Sequence, residues 1–177
     1  DRDLEYVNER KTITVAVPEN WYPLYCKETP LKNHTGIMAD VLDEIKSFTG
    51  LRFSYVYAKN YADAIRLIQQ GDADILGFFL GDENDAAQLG LALSASYVSA
   101  NNIIVRNKAC SYPAPGLVGA LVENQRLPSG ISVEKIRFYP SIKEALFAVN
   151  NGGADFIYGL SSRMEQDILR YHFTNLA

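Results

Sequence analysis

The chain has 177 residues, of which 47% are hydrophobic and 21% are charged, and its formal net charge at pH 7 is −4. This composition suits one or two small globular units with apolar cores. No segment concentrates lysine and arginine, so nucleic acid is not an expected partner. No apolar run approaches the roughly 20 residues that a membrane span needs. The sequence starts at Asp1 without a signal peptide, so we expect a processed or excised fragment.

The first half of the chain predicts alternating strands and helices. Strands are indicated by β-branched or alternating apolar residues, and helices by apolar residues at helical spacing that end at a glycine. In the first predicted long helix, that spacing is set by Ile37, Val41, Leu42, Ile45 and Phe48. The predicted elements are a leading helix at 3–10, strands at 12–17, 52–57 and 74–79, and helices at 37–50 and 61–70.

A repeated sequence segment links the two halves. The segment 71–79, Gly-Asp-Ala-Asp-Ile-Leu-Gly-Phe-Phe, resembles 152–160, Gly-Gly-Ala-Asp-Phe-Ile-Tyr-Gly-Leu. In both, an amphipathic helix stops at glycine and Ala-Asp leads a short apolar run, which indicates a buried parallel strand. Two such copies predict an α/β fold with two β-α-β-type lobes and a cleft between them.

The second half repeats this plan after a connecting region. The acidic run 81–85 lacks a calcium-loop pattern and is interpreted as a solvated loop that caps a short helix at 86–89. Residues 131–133 are weakly helical or irregular. We predict strands at 101–106, 117–122, 135–139 and 154–158, a helix at 142–151, and a final helix through Arg170 that Ser161 and Ser162 cap. The predicted domains are lobe one at 1–102, a crossing segment at 103–107 and lobe two at 108–177.

Candidate binding residues follow from the rule that ligands of open α/β sheets lie beyond the carboxyl ends of the strands. Aromatic side chains dominate the candidates in the first lobe, and polar side chains dominate those in the second. Only one of the neighbouring Phe78 and Phe79 is expected to face the cleft, because strand residues alternate. The candidates from this rule are Trp21, Tyr22, Phe78, Phe79, Gly81, Glu123, Asn124, Gln125, Leu160 and Ser161, with Asn84 as a further polar candidate.

Metal and cofactor sites are not predicted. His34 and His172 are isolated, without metal-ligand spacing to Cys, Asp or Glu. Cys26 and Cys110 lie far apart, so the sequence is compatible with a disulfide and with two separate thiols. No nucleophile, histidine and acid form a supported arrangement, so no catalytic residue is predicted. Glu123 is the one acid–base candidate, and a solvated or ligand-binding carboxylate explains it better.

The order of several motifs resembles bacterial type 2 solute-binding proteins, the amino-acid-binding class of periplasmic-binding-protein-like II folds. The resemblance covers nearly the whole chain, and no single motif in it is specific. It is carried by 13–17 with Trp21-Tyr22-Pro23-Leu24, Gly36-Ile37-Met38-Ala39-Asp40-Val41, 50–53, the Gly-Asp-Ala-Asp-Ile run, Ser96-Tyr97, Glu144-Ala145-Leu146 and Gly153-Ala154-Asp155. The resemblance implies a Venus flytrap that closes on a small ligand, and it adds Tyr61 to the pocket.

Two departures from the family pattern shape the expected ligand and partners. Members of the family that bind amino acids hold them with an arginine and an aspartate, and this chain lacks both. The arginine's position falls near Asp85 or Ala86 and the aspartate's position at Leu160, so a plain zwitterionic amino acid is disfavoured. A neutral, aromatic or cationic small molecule fits better, and backbone amides after 117–122 could hold an anion if a helix starts there. The family's return strand and helix of lobe one do not appear before Ala177, so we expect exposed apolar surface and a tendency to pair, including as a homodimer.

The resemblance favours an extracytoplasmic sensor module over other functions. The polar segment at 3–10 and the ending at 171–176 are similar to flytrap modules of membrane signalling receptors. Ligand binding would then close the lobes and act on a membrane-anchored output domain. The alternative is a receptor that delivers solute to a transporter permease, and an enzyme on the same fold is the third reading.

Overall fold

The computed structural model describes Glu5 and residues 9–19, 21–27 and 34–177. These residues form two compact units, one up to Val98 and one from Ser99 to Ala177. Most of the predicted leading helix at 3–10 lies outside the described residues.

The elements of the first unit alternate between strand and helix, whereas the second unit has three successive strands before its first helix. The first unit contains β1 (Thr12–Pro18), α1 (Ile37–Thr49), β2 (Arg52–Ala58), α2 (Tyr61–Gln70), β3 (Ile75–Leu76) and α3 (Glu83–Gln88). The second unit contains β4 (Asn102–Arg106), β5 (Val118–Val122), β6 (Lys135–Tyr139), α4 (Ile142–Asn150), β7 (Phe156–Leu160) and α5 (Ser161–Tyr171).

The first unit is built on a parallel sheet with the strand order β2-β1-β3. The central strand β1 supplies the fully buried Val15, Ala16 and Val17. Helix α2 has the predicted bounds, because the Asn60 side chain accepts a hydrogen bond from the Asp63 N–H at its start and Gly71 adopts the left-handed conformation at its end. The alternating pattern of helices and strands was therefore read correctly in this half.

Three details of the first unit differ from the sequence prediction. The third strand, predicted at 74–79, is only Ile75–Leu76, and Ile75 is 36% exposed. Helix α1 buries Met38, Ala39 and Leu42, whereas Phe48 of the predicted apolar pattern is 80% exposed. The short helix starts at Glu83 rather than residue 86, since Asp82 and Asp85 form a capping box.

The second unit has the strand order β4-β7-β5-β6. Strands β5, β6 and β7 are parallel, and β4 is antiparallel to β7. Because β4 spans Asn102–Arg106, the predicted crossing segment 103–107 contributes backbone pairs to this sheet. The lobe boundaries at 102 and 108 stay a prediction.

The end of the second unit corrects a predicted cap. Strand β7 runs over 156–160 instead of 154–158, and the N-cap of α5 is Leu160, whose apolar side chain makes no capping hydrogen bond. Ser161 and Ser162 therefore lie inside the first turn of α5. Residues 123–134 contain no helix, so the condition for an anion site on helix amides after β5 is not met.

The repeated segments, 71–79 and 152–160, have the same structural role at the starts of β3 and β7. The Asp74 carboxylate accepts from the Thr14 N–H at 2.8 Å, and the Asp74 N–H donates to the Thr14 carbonyl at 2.9 Å. Asp155 repeats both bonds with Val118, at 2.7 and 2.8 Å. Asp74 thus aligns β3 with β1, and Asp155 aligns β7 with β5.

The described residues also bear on the cysteines and on membrane spans. Cys26 and Cys110 are partly buried, and neither forms a disulfide. In the part of the chain that is described, no helix has both the length and the apolar composition of a membrane span.

Candidate functional site

An aromatic cluster in the first unit is formed by Trp21, Tyr61 and Phe78. Trp21 follows the end of β1, Tyr61 opens the helix after β2, and Phe78 follows β3. Parallel strands end at one edge of a sheet, so residues that are far apart in sequence meet there. The structure thus brings together two residues predicted from strand ends, Trp21 and Phe78, and Tyr61, which the family resemblance implied.

The three rings pack against one another and are almost fully buried. Their exposed fractions are 5% for Trp21, 1% for Tyr61 and 5% for Phe78. The Trp21 ring lies 5.5 Å from the Tyr61 ring and 5.7 Å from the Phe78 ring, between centroids. Tyr61 and Phe78 stack at 6.0 Å with an interplanar angle of 13°. Aromatic contacts of this kind stabilise the cluster beyond the area that they bury.

Two polar atoms in this apolar cluster give it chemical capability. The Trp21 Nε1–H is buried and has no hydrogen-bond partner among the described residues. The Tyr61 hydroxyl accepts a hydrogen bond from the Leu80 N–H at 2.8 Å, and a phenol in that position still has a hydrogen to donate. Burial raises the pKa of Tyr61, so this hydroxyl stays protonated at neutral pH. The cluster can therefore donate hydrogen bonds to an acceptor on a ligand.

The other candidates of the first unit lie outside the aromatic cluster's ring contacts. Tyr22 is 46% exposed. Phe79 is half-buried beside Gly81, where an added Cβ would meet the Phe79 ring at 2.7 Å. Asn84 is exposed on α3. Their role as ligand contacts stays a prediction.

The candidates of the second unit after β5 form one turn. Gln125 is 6% exposed, and its Oε1 has no hydrogen-bond partner in the part of the chain that the structure describes. Its backbone N–H donates to the Val122 carbonyl at 3.0 Å. Asn124 is exposed with a φ of 66°, a left-handed conformation that asparagine tolerates well. Glu123 is half-buried at the start of the turn, and its N–H donates to the Tyr139 carbonyl.

The second group in this unit lies at the junction of β7 and α5. Leu160 is 3% exposed and therefore belongs to the core, while the half-buried Ser161 donates its N–H to the Asn101 carbonyl at 2.9 Å. Sequence analysis missed the adjacent ion pair, in which the Arg163 Nε–H donates to Asp167 Oδ2 at 2.9 Å. Asp167 is 1% exposed, and its Oδ1 has no hydrogen-bond partner within the described ranges. The i,i+4 spacing of opposite charges was the available signal.

Comparison with known proteins gives a consistent fold. No protein-family model and no curated protein matches the sequence. Among solved structures, the periplasmic VFT2 domain of BvgS from Bordetella pertussis is similar with a TM-score of 0.79 and 24% identity, over 99% of this chain and 77% of that domain. The chain has the Venus flytrap fold.

Arginine-binding proteins share this flytrap fold. The holo form of ArgBP from T. maritima is similar with a TM-score of 0.69 and 18% identity, over 98% of this chain and 78% of that protein. An ancestral arginine-binding protein bound to glutamine has a TM-score of 0.69 and 16% identity, over 95% of this chain and 77% of that protein. The predicted fold class, two-sheet α/β of the type 2 periplasmic-binding-protein kind, is confirmed.

A second cluster in the first unit of this flytrap fold surrounds His34. Sequence analysis found no metal-ligand spacing around His34 and did not foresee its tyrosine contacts: its Nδ1 lies 2.8 Å from the Tyr25 hydroxyl and 3.2 Å from the Tyr57 hydroxyl. The His34 ring also stacks on Tyr55 at 4.0 Å. The i,i+2 spacing of Tyr55 and Tyr57 placed them on one face of β2, but no sequence signal placed a loop histidine against that face. In the described residues, no group of three His, Cys, Asp or Glu side chains could hold a metal ion.

Proposed function

We propose that the chain is an extracytoplasmic binding module that recognises a small molecule through strand-end residues, with the aromatic cluster of the first unit as the site. The observation that carries the proposal is the Trp21 Nε1–H, which is buried in the aromatic cluster at the strand ends. It has no acceptor among the described residues. A buried donor without a partner costs about 1–3 kcal/mol. A ligand that supplies an acceptor would recover that free energy, so the arrangement favours binding.

The chemistry of the site suggests the class of ligand. Trp21, Tyr61 and Phe78 form an almost fully buried apolar cluster with two hydrogen-bond donors, Trp21 Nε1–H and the Tyr61 hydroxyl, and with no charged side chain among the three. A flat or aromatic molecule that carries a carbonyl or similar acceptor matches this set. Without an arginine and an aspartate in the positions of an amino-acid clamp, a plain zwitterionic amino acid matches it poorly.

Two biological roles are compatible with binding. The first is a sensor module, in which ligand binding shifts the population of conformations and the shift passes to a membrane-anchored output domain. Similarity to the periplasmic domain of BvgS supports this role. The second is a solute receptor of a transporter, which similarity to arginine-binding proteins supports. A coding sequence that continues from this domain into a membrane helix and an output domain would favour the sensor.

An enzymatic role has little support. The similar solved structures are sensor and binding proteins. Glu123, the acid–base candidate, lies in a turn with Asn124 and the buried Gln125. These neighbours can hydrogen-bond a ligand but do not activate a nucleophile.

The test is a ligand titration that follows Trp21 emission and the melting temperature. A panel of aromatic carboxylates, aromatic amides, amines, nucleosides and amino acids covers the chemical classes above. Trp21 is the single tryptophan of the chain, so its emission reports on the site alone. A ligand at a hundred times its Kd should raise the melting temperature by about 5–10 °C.

Two variants make the titration specific. Trp21→Phe keeps an aromatic ring and removes the N–H, so it should lose most of the melting shift. Phe48→Leu changes an aromatic residue that is 80% exposed on α1 and should keep the full shift. An equal shift in Trp21→Phe, or a response only to zwitterionic amino acids, would contradict the proposed site.

A further inference from the structure

The His34 cluster contains a hydrogen-bonded triangle in which each member can reach the other two. The Tyr25 hydroxyl lies 2.8 Å from His34 Nδ1 and 3.2 Å from the Tyr57 hydroxyl, and the Tyr57 hydroxyl lies 3.2 Å from the same Nδ1. Tyr25 is fully buried, and His34 and Tyr57 are half-buried. The triangle is therefore shielded from most of the water that would replace a lost bond.

The triangle is satisfied only while His34 is neutral. A neutral Nδ1 accepts one hydroxyl hydrogen, and the other hydroxyl donates to its neighbouring hydroxyl, so both hydrogens have acceptors. When the imidazole is protonated, Nδ1 becomes a donor. Three hydrogens then share two oxygen atoms, and one tyrosine hydroxyl is left without an acceptor in the triangle. Protonation therefore breaks the network at a site where an unpaired donor is costly.

The charged groups around the ring have opposing effects. The Lys27 ammonium lies 4.0 Å from the centre of the Tyr57 ring and 3.1 Å from the Glu19 carboxylate. Burial, with help from Lys27, lowers the pKa of His34 below its usual 6.5, and Asp43 opposes this effect. His34 also lines an open depression of about 480 Å³, which gives protons access from solvent. Three further charged side chains line this depression: Asp40, Lys46 and Arg52.

A short backbone ladder connects this triangle to Trp21. The Thr35 N–H donates to the Cys26 carbonyl at 3.0 Å, and the Cys26 N–H donates to the Thr35 carbonyl at 2.8 Å. Tyr25 in turn exchanges two backbone bonds with Trp21, at 2.6 and 2.9 Å. Gly36, which follows Thr35, has a φ of 113° and lies so close to the 21–26 segment that an added Cβ would be 2.6 Å from the Leu24 carbonyl oxygen. Movement of Tyr25 is thereby coupled to the position of Trp21.

We infer that protonation of His34 acts as an acid-sensitive switch, which opens the hydrogen-bonded triangle with Tyr25 and Tyr57 and displaces Trp21 in the candidate binding site. At neutral pH the triangle is closed and Trp21 is held against Tyr61 and Phe78. In acid the triangle opens and Tyr25 loses its anchor. This inference does not depend on any ligand, and it holds or fails separately from the proposed binding function.

The experiment uses a chain with one histidine and one tryptophan. His172 is the only other histidine and is exposed beyond the end of α5, so His172→Asn leaves His34 as the single imidazole signal in a proton NMR titration. The imidazole titration and Trp21 emission are measured on the same samples between about pH 8 and pH 4.5, around the usual histidine range. The two midpoints should coincide below 6.5, and the emission change should match that of the wild type.

A second variant separates the switch from general acid effects. His34→Gln keeps an oxygen acceptor for the tyrosine hydroxyls but cannot titrate in this range, so the emission change should be lost. Trp21 emission that does not change through the imidazole midpoint, or a change that persists in His34→Gln, would overturn the inference. If His34→Gln does not fold, the coincidence of midpoints in His172→Asn decides the question alone.

Discussion

Strand β3 of the first unit and strand β7 of the second begin alike and end differently. Strand β3 lies beside β1 in the order β2-β1-β3, and β7 lies beside β5 in the order β6-β5-β7; each is aligned by an aspartate that binds the neighbouring strand, β1 or β5. Strand β7 has five residues between β5 and β4, whereas β3 has two residues paired with β1 alone among the described strands. The same local motif therefore starts a strand, and the neighbours on its two sides set its length.

Burial follows the same contrast. Phe156 and Ile75 occupy equivalent places after their aspartates, yet Phe156 is fully buried and Ile75 is 36% exposed. Strand β4 covers β7 from the outer side, and this second neighbour completes the backbone hydrogen bonds of Ile157 and Gly159. A sheet edge leaves such groups to water.

The largest expected effect comes from truncating these equivalent residues. Phe156→Ala should lower the free energy of unfolding by about 3–5 kcal/mol, because it opens a cavity in the core of the second unit. Ile75→Ala should lower it by only about 1 kcal/mol, since that side chain is already in partial contact with water. Urea denaturation followed by circular dichroism measures both. Equal losses would mean that β3 is covered as well as β7.

The two aspartates should have similar effects despite the unequal strands. Asp155→Ala and Asp74→Ala each remove the acceptor of a backbone N–H, at Val118 and Thr14, and should each cost about 1–3 kcal/mol. Arg10, which pairs with Asp74 at 2.7 Å, is 52% exposed, so Arg10→Ala should cost at most about 1 kcal/mol. Thermal denaturation distinguishes these values. If Asp74→Ala costs no more than Arg10→Ala, its backbone bond is not the reason for the motif.

Alkaline pH should weaken the first unit through two partly buried tyrosines, Tyr55 and Tyr97. Burial raises the pKa of Tyr55 and of Tyr97 from 10.0 to about 12. Above pH 10 the unfolded chain releases protons that the folded unit retains, so the free energy of unfolding should fall as pH rises from about 10 towards 12. Urea denaturation monitored by Trp21 emission reports this unit. Tyr97→Phe should reduce the slope, and an unchanged slope would exclude Tyr97 as a cause.

The smallest expected effect is at the exposed end of α1. Phe48→Ser should change the free energy of unfolding by less than about 0.5 kcal/mol, because Phe48 is 80% exposed. The variant for comparison is Leu146→Ala on α4. It truncates a fully buried side chain and should lower the free energy of unfolding by about 2–5 kcal/mol. A loss near 2 kcal/mol for Phe48→Ser in a melting experiment would show that this face of α1 is covered in solution.

Much of the fold and part of the site could be predicted from the sequence. Helix α2 has the predicted bounds because Asn60 and Gly71 carry local start and stop signals. Trp21 and Phe78 were predicted from their positions after strands and Tyr61 from the family resemblance, and the structure packs their rings together. The contacts of His34 could not be predicted, because a loop residue reaches β2 through the path of the chain and not through a periodic pattern.

The sequence by itself determined where most helices and strands start, and that each half contains an amphipathic helix followed by an aspartate and a strand. These features depend on short-range causes, namely capping side chains, glycine conformations and apolar spacing. Tertiary structure alone decided that β3 stops after Leu76, that Phe48 lies in water and that Leu160 caps α5. It also brought His34 to Tyr25 and Tyr57. The physical reason is that strand length, burial and contacts between loops depend on which neighbours lie alongside, and neighbours in space are not neighbours in sequence.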